Sequence, residues 1–275
     1  MTAAKMKPTH STRRQVPAVS RAITILEYLA AAKEPFSVVP LAREIGIIPS
    51  TCLHILRALA EEGLVLPDPQ TKQYSIGAGI LELSQAYVRQ NPFIRVAQEH
   101  LEELSRRHGC AFTAVERNGT DEFIVVAIGD LQAGLSVRVS IGARFPVLES
   151  AAGMCFAAFG SMSKKEVSAG FDRLNWEGPI AFDEWLHEVE TTRKSGYAVD
   201  DGHFIIGARI VSVPVFRRDN DIIGCIAAVG LRERIQGKVL KSLIADLRAV
   251  ATESNGALAA IEVKANKPAG RARKS

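Results

Sequence analysis

The hydrophobic positions of the N-terminal quarter of the chain repeat with the period of an α-helix in three consecutive segments. A first helix is predicted from Ser20, which can cap it, to a stop at Lys33-Glu34-Pro35. A second, shorter helix follows Ser37, tolerates Pro40 in its first turn and stops at Gly46. The apolar positions of these two helices that are expected to face inward are Ala22, Ile25, Leu26, Leu29, Leu41, Ala42 and Ile45.

A third helix is predicted from Pro49, and its two faces differ in character. Its apolar residues follow the spacing i, i+3, i+4 and i+7 of one buried stripe: Cys52, Ile55, Leu56 and Leu59. Its remaining residues point outward: Ser50, Thr51, Leu53, His54 and Arg57. The segment EEGLVL then runs into PDPQTKQYSIG, which predicts a strand, a turn and a strand. Two helices joined by a short glycine turn and followed by a hairpin have the proportions of a winged helix-turn-helix.

The outward face of the third helix is expected to contact the major groove of DNA. Ser50 and Thr51 lie beside the helix N-terminus, where a phosphate or a base edge can bind. His54 and Arg57 lie one turn further on, and Arg57 can either offer two donors to a guanine or hold the backbone. Lys72, at the tip of the predicted wing, would touch the backbone or the minor groove. Taken alone, each of these residues also fits an ordinary solvated position on a surface.

The sequence after the wing predicts a kinked pair of helices that can couple two domains mechanically. The first stops near Asn91-Pro92, because proline removes a backbone donor and disfavours helix before it. The second runs from Pro92 to about Arg107. The apolar stripe of the first helix comprises Ile80, Leu81, Leu83, Ser84, Tyr87 and Val88, and the second keeps Ile94, Val96, Ala97 and Leu101 inward.

From Gly109 onward, short strands and helices alternate. Three strands are predicted first, in AFTAVER, DEFIVVAIG and GLSVRVS, with Asn118-Gly119 as a hairpin turn. Helices follow at about 151–160, 164–170 and 181–195. Strands return in RIVSVPVF and DIIGCIAAV, joined by residues 217–220, before a closing helix of about 237–263. Locally paired strands flanked by helices indicate an α+β fold with a mainly antiparallel sheet.

Charge is distributed unevenly along the chain. The formal net charge is +4, but residues 1–14 and 263–275 together contain nine Lys and Arg residues and no acid, so subtraction leaves about −5 for the body. Basic tails beside a mildly acidic body suit attraction to phosphates, and they equally suit disordered, solubilising ends. We predict five segments: a basic flexible tail at 1–16, a winged helix-turn-helix domain at 17–78, linker helices at 79–108, a larger domain at 109–264 and a basic flexible tail at 265–275.

Length and composition place the chain among ordinary globular proteins. Its 275 residues, 47% of them apolar and 23% charged, suffice for one large domain or two of ordinary size. It contains no uncharged apolar run of about 18 residues, and its N-terminus MTAAKMKPTHSTRRQVP lacks the apolar centre of a secretion signal. We expect a soluble, cytoplasmic protein with no membrane partner.

Few residues fit a catalytic or metal-binding role. The four cysteines are far apart and form no CxxC motif, so neither a disulfide framework nor a zinc knuckle is indicated. The best enzyme-like cluster is Asp200-Asp201-Gly202-His203, but neighbours in an extended chain point to opposite sides. Cys155 has no identifiable partner base, and GAG at 77–79 lacks the third glycine of a dinucleotide fingerprint. We therefore predict no catalytic residues, no metal site and no cofactor.

Beyond these patterns, the chain resembles the IclR family of bacterial transcriptional regulators from about Ser20 to Lys264. The stretch AREIGIIPSTCLHILRALAEEGLV is similar to the family's turn and recognition helix, and QYSIGAGILELSQAYVRQN to its wing end and linker helix. The most specific stretch, SGYAVDDGHFIIGARIVSVPVFRRDNDIIGCIAAVGLRERI, resembles the core of the family's effector domain. Between them, IGARFPVLESAAGMCFAAFG resembles a family segment from strand into helix that normally reads close to P-L-x-x-T/S-A-x-G-K.

The resemblance implies an N-terminal winged helix-turn-helix joined by a helix to a C-terminal effector-binding domain similar to GAF and PAS sensors. It also implies homodimers, often paired into tetramers, that bind palindromic double-stranded DNA operators and respond to small-molecule effectors. Family members commonly have arginine where this chain has His54, and proline then lysine where it has Ile48 and Pro49. The operator sequence of a relative is therefore not transferable to this chain.

The resemblance also assigns the lining of an effector pocket between sheet and helices. The assigned residues are Ser150, Ala151 and Ala152 at a helix start, Asp200 in AVDDG, Ile210 and Ser212 on one strand, and Ala227 and Val229 on the next. Several family members carry cysteine or serine at Ile210, Ala227 and Val229, so this pocket is expected to be more apolar than theirs. Because amides at a helix start attract a carboxylate, we expect an aromatic or otherwise hydrophobic carboxylic acid as effector. These positions also fit ordinary core packing.

Two other functions stay open beside the preferred one, a ligand-responsive DNA-binding regulator. A small-acid-converting enzyme would use the larger domain, with the winged helix as a protein-docking module, and would depend on Asp200 and His203. A redox sensor would act through Cys155 or Cys225.

Overall fold

The computed structural model describes residues 16–119, 121–129, 139–218 and 220–265, with side chains as far as residue 261. The chain divides into two compact units, one ending at Tyr87 and the other beginning at Val88. Both predicted basic tails lie almost wholly outside the described residues, as do residues 134–138 of the predicted strand GLSVRVS.

The first unit contains three helices and a small antiparallel sheet. Its elements are α1 (Pro17–Ala31), β1 (Phe36–Ser37), α2 (Val38–Glu44), α3 (Pro49–Glu61), β2 (Val65–Pro67) and β3 (Gln73–Ile76), with strand order β1-β3-β2. The predicted helices and the hairpin are confirmed, except that α1 begins at Pro17 and not after Ser20. Proline suits the first position of a helix, where its missing N–H leaves no hydrogen bond unmade. The two-residue β1 was not predicted.

Helices α2 and α3 form the predicted pair joined by a tight turn. Both end in the same way, with a left-handed glycine, Gly46 or Gly63, after the last turn. The amide of Ile47 then donates to the carbonyl of Ala42, and that of Leu64 to Leu59, each at 2.9 Å. Among the described residues no single helix is long and apolar enough to cross a membrane; α2 and α3 reach that length only as a pair bent by 108°.

The core of the first unit consists of the apolar stripes predicted from helical spacing. Its buried members are Ile25, Leu29, Leu41, Ala42, Cys52, Leu56, Leu59 and Val65. Ala22, Leu26, Ile45 and Ile55 pack against this cluster and are half-buried. Burial of the stripe on α3 fixes which side of that helix faces solvent.

Helix α4 (Gly79–Gln90) confirms the helix predicted after the wing, but it buries none of its residues. Its start is held against the end of α3: a Cβ on Gly77 would lie 2.2 Å from the carbonyl oxygen of Gly63, and the amide of Gly79 donates to that oxygen at 3.0 Å. Further along, Leu81 and Leu83 are each 62% exposed. Leu81 and Leu83 therefore have little covering among the described residues.

The second unit is built on a six-stranded antiparallel sheet. Its strands are β4 (Ala111–Asn118), β5 (Glu122–Gly129), β6 (Arg144–Pro146), β7 (Ala198–Asp200), β8 (Ala208–Phe216) and β9 (Ile222–Leu231), in the order β6-β5-β4-β9-β8-β7. The α+β fold is confirmed. The two outermost strands, β6 and β7, have three residues each, and so short a segment carries no periodicity that would predict it; the family resemblance implies a strand before α6, where β6 lies.

Helices cover both faces of this sheet. They are α5 (Pro92–His108), α6 (Ser150–Phe159), α7 (Lys164–Phe171), α8 (Phe182–Ser195) and α9 (Gly237–Ala265), close to the predicted ranges. Residues of α5 and α9 share one hydrophobic cluster with one face of the sheet, and residues of α6, α7 and α8 share another with the opposite face. Side chains that alternate along each strand therefore belong alternately to two cores.

Candidate functional site

The outward face of α3 carries the residues predicted to contact DNA. Ser50, His54 and Arg57 are exposed, and Thr51 is half-buried beside them. This follows from the burial of Cys52 and Leu56 on the opposite side of the same helix. A cation and an imidazole thus lie one turn beyond two hydroxyls, with no covering segment among the described residues.

The tip of the β2–β3 hairpin is ordered by Asp68, a residue to which the sequence pattern assigned no role. One carboxylate oxygen of Asp68 accepts hydrogen bonds from the amides of Gln70 (2.8 Å) and Thr71 (3.2 Å). Hydrogen bonds lower the pKa of Asp68, and the bond with the Thr71 side chain contributes most. The exposed Lys72 follows in the left-handed conformation, with φ of 59°. A turn-forming Asp two residues before a polar cluster was the available sequence signal.

A cavity of about 310 Å³ lies between the sheet and α6 in the second unit. Five of the eight residues assigned to the effector pocket line it: Ser150, Ala152, Ile210, Ala227 and Val229. Strand register brings them together, because Ile210 pairs with Val229 across β8 and β9. Sequence-distant positions become neighbours on one face of the sheet.

The other three assigned residues do not line the cavity, and each has another environment. Ala151 is fully buried and follows Ser150 on α6, where one residue rotates the side chain by about 100°. Ser212 is fully buried, and its carbonyl accepts a hydrogen bond from the Cys155 thiol at 3.5 Å. Asp200 is also fully buried, but its carboxylate is bound to a neighbouring loop.

The Asp200 carboxylate shapes the loop between β7 and β8. It accepts hydrogen bonds from the amides of Gly202 (3.1 Å), His203 (2.9 Å) and Phe204 (3.2 Å). Burial raises the pKa of Asp200, and these amides oppose that shift. The loop places Phe204 and Ile205 in the cavity wall. Asp200 therefore acts on the cavity through the backbone that it holds.

The remaining polar residues of the enzyme-like cluster have separate partners. Asp201 pairs with Arg209 and Arg232, at 2.6 and 2.8 Å. His203 lies 3.8 Å from the Glu188 carboxylate and contacts the carbonyl of Gly178 at 3.2 Å. These side chains do not converge on one point. Within the described part of the chain, no group of three or more His, Cys, Asp or Glu residues could hold a metal ion.

The start of α6 presents backbone donors at the cavity wall. Glu149 precedes the helix but makes no side-chain capping bond, and Ser150 has a left-handed φ of 65°. The first amide that donates back along the helix is that of Gly153, to the carbonyl of Glu149 at 3.0 Å. The amides of Ser150, Ala151 and Ala152 therefore have no acceptor within the helix, so this end attracts an anion.

Glu149 is a buried acid at this helix start. It is 7% exposed, and burial, reinforced by the Asp200 carboxylate, raises its pKa to about 7. Near neutral pH a large fraction of its side chains is therefore protonated and uncharged. An uncharged Glu149 does not repel an anion bound at the neighbouring amides.

Several cavity residues were missed by sequence reasoning. They are Thr113, Val115, Val125, Val139, Ser140, Ala143, Arg144, Phe145, Phe204 and Ile205. For β4 a signal existed, since alternation in AFTAVER puts Thr113 and Val115 on one face of a strand. Nothing in the sequence reveals which of the two faces contains the cavity.

The four cysteines are all buried free thiols. Burial raises the pKa of Cys110 to about 12, and that of Cys155 well above its usual range. A thiol held in the protonated form is a poor nucleophile and is slow to oxidise.

Models of one protein family match both the N-terminal and the C-terminal part of the chain. The model of the IclR helix-turn-helix domain matches residues 18–69, and that of the bacterial transcriptional regulator IclR C-terminal domain matches residues 85–254. The chain belongs to the IclR family of bacterial transcriptional regulators. It is accordingly a DNA-binding transcriptional regulator with a C-terminal effector-binding domain.

Individual relatives resemble the chain over most of its length. The HTH-type transcriptional repressor AllR of Salmonella typhimurium is 24% identical over 244 residues, covering 84% of this chain and 88% of AllR. An IclR transcriptional regulator from Alicyclobacillus acidocaldarius has a TM-score of 0.79 and 26% identity, covering 88% of this chain and 99% of its own. An IclR homologue from Microbacterium hydrocarbonoxydans, solved with 4-hydroxybenzoate, has a TM-score of 0.75 at 15% identity, covers 88% and 98% of the two chains, and shares the fold.

Proposed function

We propose that this regulator binds a palindromic operator and that an aromatic or otherwise hydrophobic carboxylic acid controls the binding. The observation that carries the ligand class is the cavity itself, an apolar space with an uncapped helix start in its wall. Its volume of about 310 Å³ is at the lower end of the range for small-molecule sites.

The DNA interface in this proposal consists of α3 and the hairpin tip. Ser50, Thr51, His54 and Arg57 would lie in the major groove, and Lys72 would meet the backbone or minor groove. The exposure of the α3 face supports this assignment. We take residues 17–78 as the DNA-binding domain, 79–108 as the linker and 109–264 as the effector domain.

A palindromic site has two half-sites, each of which binds one winged helix, so we propose a homodimer. Leu81 and Leu83 on α4, each 62% exposed, offer apolar surface to a second copy. Two winged helices held at a fixed spacing would match half-sites about one helical turn, or a multiple of it, apart.

The shape and polarity of the cavity suit a flat acid. The Phe145 and Phe204 rings, 6.5 Å apart, both line it, beside aliphatic strand residues such as Ile210 and Val229. A carboxylate would accept hydrogen bonds from the amides of Ser150 to Ala152. The Microbacterium relative of the same fold was solved with 4-hydroxybenzoate, an aromatic acid, which supports the proposed ligand class.

The acid would control DNA binding through a coupling free energy between the effector cavity and the DNA interface. The acid would bind one arrangement of the dimer more tightly than another, and DNA affinity would change by the reciprocal factor.

Two measurements on the full-length protein test the proposal. Binding to DNA from the protein's own promoter region is measured with and without candidate acids, and thermal unfolding is measured with the same acids. An acid at 100 times its Kd raises stability by about 2.7 kcal/mol. Failure to bind that DNA under any condition would contradict the DNA-binding assignment, and absence of a stabilising acid would contradict the ligand class.

A further inference from the structure

Thr113 stands out in the cavity as a buried hydroxyl on the sheet. It lies on the central strand β4, paired with Ile128 of β5 and Ala227 of β9, and is only 3% exposed. Its strand neighbours Phe112 and Ala114 belong to the core shared with α5 and α9. The Thr113 side chain therefore faces the opposite side of the sheet, where the cavity lies.

Thr113 makes no side-chain hydrogen bond among the described residues, but its hydroxyl is not one of the fully enclosed polar atoms without a partner, because the residue lines the cavity. On the neighbouring strands the lining is aliphatic, from Val115, Val125, Ile210 and Val229, and the edge strand β6 adds Arg144 and Phe145. Buried hydroxyls in native proteins are nearly always hydrogen-bonded, and valine would fill the same volume while favouring a strand. A threonine here is therefore explained best by a partner that arrives with the ligand.

We infer that Thr113 selects an acid that carries a second polar group, a ring hydroxyl. This inference rests on the proposed effector site. The carboxylate would bind the amides at the start of α6, and the ring hydroxyl would reach the Thr113 hydroxyl on the sheet. A threonine hydroxyl can both donate to and accept from a phenol. The effector class is thus a hydroxylated aromatic acid, and Thr113 is its specificity-determining residue.

The test compares wild type, Thr113→Val and Thr113→Ser in the full-length protein. Calorimetry measures the Kd of benzoate, the three monohydroxybenzoates, phenylacetate and cyclohexanecarboxylate. We expect at least one hydroxybenzoate to bind wild type more tightly than benzoate does. Thr113→Val should weaken that hydroxybenzoate by about tenfold and leave benzoate unchanged, since a neutral hydrogen bond contributes about that much. Thr113→Ser, which keeps the hydroxyl, should restore the preference.

Thermal unfolding without ligand gives a second, independent readout. Thr113→Val should melt close to the wild-type temperature, because it removes a hydroxyl that makes no hydrogen bond to the described protein and leaves the side chain about the same size. Equal weakening of benzoate and hydroxybenzoate, or a hydroxybenzoate preference that survives in Thr113→Val, would overturn the inference alone. Acids that bind only without a ring hydroxyl would do the same. No binding by any of these acids would overturn both the inference and the proposed ligand class.

Discussion

The two units place their functional residues in opposite environments. In the first unit, the proposed DNA contacts of α3 lie within eight positions of the chain, on the solvent side of a helix whose other side is core. In the second, the cavity lining extends from Thr113 to Val229 and comes from five strands, one helix and two loops. A surface site can change without loss of stability, whereas a buried site places polar groups where they cost stability.

The largest expected effect is the dependence of the free energy of unfolding on pH that the buried Glu149 causes. In the native state the Glu149 side chain keeps its proton up to about pH 7, whereas a glutamate in the unfolded chain loses its proton near pH 4. Between these values the native state binds more protons, so stability falls as pH rises, by about 3 kcal/mol in total. Glu149→Gln should remove most of this loss. Urea unfolding can be followed by tryptophan fluorescence, since Trp176 and Trp185, the two tryptophans, both lie in the second unit.

The matched control is Glu190→Gln, an exposed glutamate on α8, which should keep the wild-type pH profile. Burial also raises the pKa of Glu188 and Asp200, so a shallower slope of the same sign should persist in Glu149→Gln. Parallel profiles for wild type and Glu149→Gln between pH 5 and 8 would show that Glu149 carries no such cost.

A second prediction concerns space in the cavity. Ala227 lines it from β9, and Ala227→Leu would place a larger apolar side chain in the room proposed for the ligand. The stabilisation of about 2.7 kcal/mol expected from an acid at 100 times its Kd should then disappear, while the ligand-free protein still folds. Thermal unfolding with and without the acid measures this. Ala157→Leu, on the half-buried part of α6 outside the lining, is the control, and an unchanged ligand response in Ala227→Leu would place the ligand elsewhere.

This contrast also explains what sequence could predict. The stripe Cys52, Leu56 and Leu59 repeats within one helix, so local spacing alone identified both the core and the exposed face of α3. The cavity depends on register between strands far apart in sequence, such as Thr113 opposite Ala227, which spacing does not encode. The role of Asp200 was equally hidden in the sequence. Its residue type suggested a ligand contact, but its carboxylate is fully buried and accepts hydrogen bonds from backbone amides.

At the exposed face of α3, a substitution should change the affinity for DNA without changing the free energy of unfolding. Arg57 is exposed on α3, so Arg57→Ala should change the free energy of unfolding by less than about 0.5 kcal/mol. If it reads a base, DNA affinity should fall by about 2 kcal/mol, with relaxed specificity at one operator position. Fluorescence anisotropy with the operator and with single-base variants measures both quantities. Lys33→Ala, an exposed cation outside α3 and the hairpin, should bind as wild type; the same affinity for Arg57→Ala would remove Arg57 from the interface.

The smallest effect is expected at the hairpin tip, where Lys72 has a left-handed backbone. Asparagine tolerates that conformation, so Lys72→Asn removes the charge without adding strain, and the Asp68 turn stays intact. If Lys72 neutralises a phosphate, the slope of log K against log salt should become shallower by about 1, equally for operator and unrelated DNA. Titrations at several salt concentrations give this slope. An unchanged slope would mean that the tip does not reach the backbone, whereas a loss confined to the operator would mean that Lys72 reads sequence in the minor groove.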